Sequence, residues 1–374
     1  MRPKLTDERA ATDRSRRDIL KWFGAGGGAV AATMALSACK GAHSDDSGGT
    51  GATGNFPKPG KRWKFVFINH VTTNSFFAPT QNGIKDAAAL LGLDYQWTGA
   101  EDGNVSTMAT ALETAISGGA DGIAVALTDD SAFKDGCKKA FAQGIPVVAY
   151  NATAAGNYAL AYIGQDLFLS GYKMGQRILS QVHSGEIIVG ISQPGGNNVQ
   201  PRLDGIKKAI ADAGANVTVH TVNTGAEQAA ELSAMEAAYA GRKSAKGVYA
   251  VDAGSTAGIA QMVKKQGLKG KFHAGGYDTL DDTIEGVQSG ALDFTIDQSA
   301  YLQGFLPMLT LYLYRMSGTL VHPPEMDTGL TFVTAENVAP YTKAASVYEG
   351  SKGKRQLTMP KSLPLPTPLT VTQS

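Results

Sequence analysis

Phe65, Val66, Phe67 and Ile68 form a continuous apolar block. After a polar interval, Ile84, Ala87, Ala88 and Leu91 recur at steps of three and four, the spacing of one buried helix face. The interval itself, His70-Val-Thr-Thr-Asn-Ser-Phe-Phe77, therefore joins a first strand to a helix. It lies at the strand's carboxyl end, where open α/β sheets bind ligands. Plain roles are equally open to it, with Phe76 and Phe77 in the core and Asn74 as a cap.

The alternation continues down the chain. Asn104 can cap a helix that turns Met108, Ala111, Leu112 and Ala115 inward and stops at Gly118. The apolar run 122–127 reads as a buried parallel strand. A helix from about 131 and an apolar run at 145–150 follow. The pattern then restarts. Strands are expected at 185–191, 217–222, 247–251 and 271–277, with helices at 198–213 and 226–240 between them. The run 294–296 and the long apolar helix 301–316 come last, and the helix is expected to return to the first domain. Two βα arrays of similar order imply an α/β chain of two doubly wound, Rossmann-like parallel-sheet domains. They face one another across a cleft and are joined by a multi-strand hinge. The expected lobes are 63–165 plus 299–331, and 166–298. Residues 332–374 are polar and proline-rich and are expected on the surface.

Composition narrows the class. With 374 residues the chain can hold two sizeable cores. Its 34 basic against 33 acidic side chains favour neither nucleic acid nor an acidic partner. The amino-terminal segment 1–39 reads as an address. Arg16 and Arg17 in Ser15-Arg-Arg-Asp-Ile-Leu-Lys21 match a twin-arginine export pattern. A glycine-interrupted apolar stretch follows, too short for a membrane span. It ends in Leu36-Ser-Ala-Cys39, which resembles a lipobox with Cys39 as the lipid attachment. Residues 40–62, rich in Gly, Ser, Thr, Asp and Pro, read as a flexible tether. Cys137 is then a lone thiol, expected to be buried.

Nearly every expected strand ends in an amide or a carboxylate. The first array supplies His70, Asn74, Asp129, Asp130 and Asn151. The second supplies the loop 193–198, Arg202, Asp252, Asp278 and Gln298. Carboxylates accept paired hydroxyls, a guanidinium donates in a fixed fork, and adjacent aromatics cover an apolar face. That mixture suits sugars and polyols. Helix capping remains open for Asp129 and Asp130, and turn roles for Asp252 and Asp278. Gln193-Pro-Gly-Gly-Asn197 lacks the Lys-Ser/Thr of a phosphate loop, and the six histidines form no metal motif. No metal and no cofactor are expected.

In this order the motifs resemble the ribose-type sugar-binding proteins of bacterial ABC importers, the type I periplasmic binding proteins. Asn74-Ser-Phe-Phe77 is similar to that family's sugar loop, and Gly144-Ile-Pro-Val-Val148 to its third strand. Ile163-Gly-Gln-Asp166 resembles its first crossing, Gly276-Tyr-Asp278 its glycine-aromatic-aspartate turn, and Thr295-Ile-Asp-Gln298 the segment ending in a ligand-contacting glutamine. The resemblance implies ligand contacts from Asn74, Phe76, Phe77, Arg202, Asp252, Asp278 and Gln298, with His70 and Asn151 at the cleft.

The departures are informative. Asn151-Ala152 stands where the family carries Asp-Arg, Asp252 where it carries Asn, and Ala226-Glu-Gln228 where an aromatic is expected. With one guanidinium and one stacking ring fewer, an open-chain alditol such as xylitol or threitol is favoured. The chain resembles that lipoprotein branch most, and a pentose or hexose remains open. The expectation is a monomeric, lipid-anchored binding protein outside the cytoplasmic membrane, serving an ABC permease. Sensing for a membrane receptor is the alternative. An exported enzyme fits less well, since no Gly-x-Ser-x-Gly elbow or metal motif appears. A repressor would need a DNA-binding helix pair ahead of 64, where the export pattern stands.

Overall fold

A computed structural model of the chain describes residues 59–342 and the strand pair Gly350–Ser351 and Lys354–Arg355. The export pattern, Cys39 and most of the tether lie outside the described residues.

The first array runs β1 (Lys64–Asn69), α1 (Ala78–Leu91), β2 (Asp94–Gly99), α2 (Val105–Ser117), β3 (Gly122–Val125), α3 (Lys134–Ala142), β4 (Val147–Tyr150) and β5 (Tyr162–Gly164). The second runs α4 (Leu167–Gln181), β6 (Ser184–Ile191), α5 (Gln200–Asp212), β7 (Asn216–Asn223), α6 (Gln228–Gly241), β8 (Gly247–Ala250), α7 (Ala253–Gln266), β9 (His273–Tyr277), α8 (Asp281–Ser289) and β10 (Phe294–Asp297). Then come α9 (Leu302–Ser317), β11 (Glu325–Asp327) and β12 (Thr331–Val333).

These strands form two six-stranded sheets, ordered β11-β5-β4-β3-β1-β2 and β12-β10-β9-β8-β6-β7. Every pairing within them is parallel except that of β12 with β10. The orders correspond position by position, so β1, β3 and β4 of one lobe occupy the places of β6, β8 and β9 in the other. The inner strands β3, β4 and β8 are buried along their whole length, which explains their unbroken apolar runs. β2 is an edge strand with three exposed positions, in which Tyr95 and Trp97 alternate with polar residues.

Met308, Leu311 and Tyr312 of α9 join the first lobe's core. Two glycines admit this helix. A Cβ on Gly83 would lie 2.1 Å from the Tyr301 carbonyl oxygen, and one on Gly304 would lie 1.9 Å from that of Thr80. The end of the fold departs from expectation. Residues 332–342 are not a surface extension, because Thr331–Val333 completes the second sheet. Val333, Val338 and Tyr341 are buried in that lobe's core. Short polar interruptions hid this segment's apolar positions.

The chain passes between lobes three times: after β5, after β10 and after β11. Side chains stitch these crossings together. The Thr328 backbone N–H donates to the Gly164 carbonyl at 2.9 Å and its hydroxyl to the Gln298 carbonyl at 2.8 Å. The Gln165 amide donates to the Gly329 carbonyl at 3.1 Å. Such a bundle of element-terminal segments is the usual site of hinge motion.

Candidate functional site

Loops at the carboxyl ends of both sheets meet around one cavity, with a volume of ≈ 60 Å³ open to the centres of water-sized molecules. That is several times the ~10–15 Å³ one water requires. Its wall contains His70, Asn74, Phe76, Phe77 and Asn151 from the first lobe, and Arg202, Asp252, Asp278 and Gln298 from the second or its boundary. The nine residues placed in the site by the family resemblance are therefore gathered at one place.

On the first lobe, buried Asn69 fixes the loop. Its amide donates to the Tyr150 hydroxyl at 2.9 Å, and its carbonyl accepts from Val71 N–H at 2.9 Å. His70 follows, with its ring edge-on to Phe77 at 5.3 Å. Burial lowers its pKa to about 4, so the imidazole is neutral at physiological pH. Its Nε2 lies 3.2 Å from the Asn198 amide of the other lobe, while Nδ1 has no protein partner. Phe77 also packs against Phe76 at 4.7 Å and Trp97 at 5.8 Å. Asn74 caps a 3₁₀ turn, accepting from Phe76 N–H at 2.9 Å, and still lines the cavity.

On the second lobe, Arg202 sits in the first turn of α5. Its Nη1 donates to the Val251 carbonyl at 3.0 Å and its Nη2 to Gln165 Oε1 at 3.2 Å. The guanidinium lies over the Tyr277 ring, 4.1 Å from its centroid. Close packing of α4 on α5 sets this position. A Cβ on Gly171 would fall 2.0 Å from the Arg202 carbonyl oxygen, and one on Gly205 2.3 Å from that of Phe168. Asp252 caps α7. Its two oxygens accept from Ser255 N–H and Ser192 N–H, each at 2.9 Å.

Asn151 and Asp278 occupy equivalent strand ends of the two lobes, and both are left-handed, with φ of 62° and 73°. Asn and Asp are enriched in that region. A buried chain of side-chain hydrogen bonds links them through the hinge. Asn151 donates to Gln303 Oε1 at 3.0 Å, Gln303 to Gln298 Oε1 at 3.0 Å, and Gln298 to Asp278 Oδ1 at 2.6 Å. Burial pushes the Asp278 carboxyl up to about 7, against the opposing pull of Arg202.

Not every expected cleft residue reaches the cavity. Asp129 accepts from Ser131 N–H and Ala132 N–H, each at 2.8 Å, and these bonds hold its carboxyl below the usual range. It is a cap. Asp130 accepts from the Asn197 amide at 2.9 Å, and Asn197 N–H donates to the Thr128 carbonyl at 3.0 Å. Those bonds latch the lobes together beside the cavity. Glu231, Gln303 and Thr328 were not candidates in the sequence. The one available signal was Gln303, a lone amide in the apolar start of α9. Four cavity-lining residues, His70, Asn198, Arg202 and Glu231, each carry a buried polar atom without a protein partner. Buried polar groups are rarely left so, and hydroxyls of a bound molecule would pair with them. Among the described residues, no three His, Cys, Asp or Glu side chains are arranged to hold a metal.

Two α/β lobes latched around a polar, aromatic-walled cavity over a three-segment hinge define a cleft-type binding protein. Comparison with known proteins agrees. The periplasmic binding protein domain matches residues 65–318. A xylose/arabinose-binding protein of Sulfolobus acidocaldarius is 44% identical across 93% of this chain and 92% of its own. A solute-binding protein of an ABC transporter from Burkholderia graminis, solved with D-arabinose, superposes with a TM-score of 0.72 at 27% identity, covering 77% of this chain and 100% of that one. A carbohydrate transporter protein of Acidothermus cellulolyticus, solved with myo-inositol, gives 0.68 at 26% identity, covering 76% and 98%. The chain belongs to the periplasmic binding protein family, in the ribose-type branch that its motifs resemble. These relatives are binding proteins and not enzymes.

Proposed function

We propose that this protein is the substrate-binding component of an ABC importer and that its ligand is a small sugar of the pentose class, such as xylose or arabinose. The observation that carries this reading is the cavity wall, where both lobes contribute charged, amide and aromatic groups around one space. Hydroxyls bridging the two sides would favour the closed arrangement over an open one. The 44% identical relative named for xylose and arabinose supports the pentose class. A second reading, an open-chain alditol such as xylitol or threitol, is favoured by one feature. Ala226 lines the cavity where a stacking ring was expected. The partner would be a membrane permease that recognises the latched lobes. The twin-arginine pattern and Cys39 support a lipid-anchored protein outside the cytoplasmic membrane.

Calorimetric titration with D-xylose, L-arabinose, xylitol, threitol and D-glucose tests the reading. One-site binding of a pentose, tighter than of glucose, is expected. No binding of any of the five would overturn it. Radiolabelled palmitate incorporation, lost in Cys39→Ala, tests the anchor.

A further inference from the structure

Glu231 stands in the second lobe's wall of the cavity, outside every motif that marks the other site residues. It lies in the first turn of α6, is 2% exposed, and its Oε2 has no protein partner. Space is reserved for it. A Cβ on Gly254 would lie 1.6 Å from Oε2 and 2.4 Å from the carboxyl carbon. Gly254 is an interior residue of α7, so the carboxyl group, and not the backbone, requires a glycine there. On the same wall Ala226 offers no ring to cover an apolar sugar face.

We propose that Glu231 is a ligand-contacting, specificity-determining residue, presenting its carboxyl group to a sugar oxygen on a face where an aromatic ring would otherwise stack. The proposal rests on the sugar-binding reading above and deepens it, because it selects ligands whose face towards α6 carries a hydroxyl or ring oxygen. The protonation of the wall fits this role. Asp252 beside it has both oxygens on backbone amides, and burial raises its carboxyl against the pull of those bonds. Burial first, then the Asp252 charge and a hydrogen bond to the Asp252 carboxyl, raise the Glu231 carboxyl to about 9, with Glu227 adding a little and the Ser255 amide opposing. Arg202, Asp278 and His70 are the other ionisable groups of this cavity. The Glu231 and Asp252 carboxyls share one proton between them, and the unpartnered Oε2 is the atom that accepts from a sugar hydroxyl.

The test is calorimetric titration of the wild type, Glu231→Gln, Glu231→Ala and Gly254→Ala with D-xylose, L-arabinose and xylitol, alongside thermal unfolding. Glu231→Gln keeps a donor and should stay within about threefold of the wild type at neutral pH. Glu231→Ala and Gly254→Ala should lose at least about tenfold, the order expected for one buried hydrogen bond, and should change the ranking of the three ligands. Between pH 7.5 and pH 10 the wild type should weaken as the acid loses its proton, relative to Glu231→Gln. Wild-type binding that Glu231→Ala matches in strength and ranking would overturn the proposal and leave the sugar reading standing. So would equal loss in the Ala and Gln variants with equally lowered unfolding midpoints, which marks a structural role. No wild-type binding to any of the three would overturn both.

Discussion

Asp278→Asn separates what the site costs the fold from what it gives the ligand. Asp278 is 4% exposed, and its carboxyl is raised from 3.8 to about 7 by burial. A carboxyl raised in the folded protein is more readily protonated there than in the unfolded chain. Stability is therefore greatest below the unfolded value and falls as pH rises from about 4 to about 7, with no further loss above. An interval of about three pH units at ~1.4 kcal/mol each sets an upper bound of about 4 kcal/mol. Any opening of the lobes would hydrate the carboxyl and bring the effect below that bound. Asparagine is the right replacement on two counts. It tolerates the left-handed backbone at φ 73°, which alanine does not. Its carbonyl also still accepts from Gln298.

Ligand-free Asp278→Asn should therefore match the wild type near pH 4 and exceed it by ~1–3 kcal/mol at pH 8, read by urea unfolding at both pH values. Its sugar affinity should drop by ~1.5–3 kcal/mol, the worth of a hydrogen bond to a charged group. Equal stability of the two proteins at pH 8, or unchanged affinity, would refute the reasoning.

Asp252→Ala should cost ~0.5–2 kcal/mol of stability by removing the α7 cap. The residue is therefore not the fold-neutral probe that a pure ligand contact would be, and Asp252→Asn, which keeps one acceptor but sets an NH2 against the second backbone N–H, should recover only part of the loss in denaturant titrations. Gln303→Leu strands Asn151 and Gln298 and should destabilise by ~1–3 kcal/mol, broadening the distribution of lobe angles seen by small-angle scattering. Gly171→Ala drives a methyl group against the Arg202 carbonyl and should cost ~1–3 kcal/mol as overpacking. It should also weaken binding, since the α5 turn that carries Arg202 must move, and paired unfolding and calorimetry will show both. Asn197→Ala removes the bond to Asp130 and should speed sugar release in stopped-flow measurements with little change in thermal stability.

What could be read from the chain follows from what each residue type signals locally. Strand ends are legible because an apolar run stops at a polar residue. His70, Asn151, Asp252 and Asp278 were found that way, and the matching sheet orders bring them together. Asp129 has the same local signature, yet its carboxyl closes on its own backbone. Only the tertiary placement distinguishes the two outcomes. Glu231 was illegible because a glutamate in a mixed helix reads as solvent-facing. Its burial depends on Gly254, 23 positions away. The edge strand β2 and the closing strand β12 were missed for a related reason. Each is an edge strand with exposed positions, and pairs with one neighbour only.

The central claim is that one hydroxylated molecule is held by both lobes at once. A crystal structure with the tightest sugar from the calorimetric panel tests this most directly. It should show ligand oxygens within hydrogen-bond distance of Asn74 or Asn151 on one side and of Arg202 or Asp278 on the other. A sugar bound elsewhere, or touching one lobe only, would contradict the account.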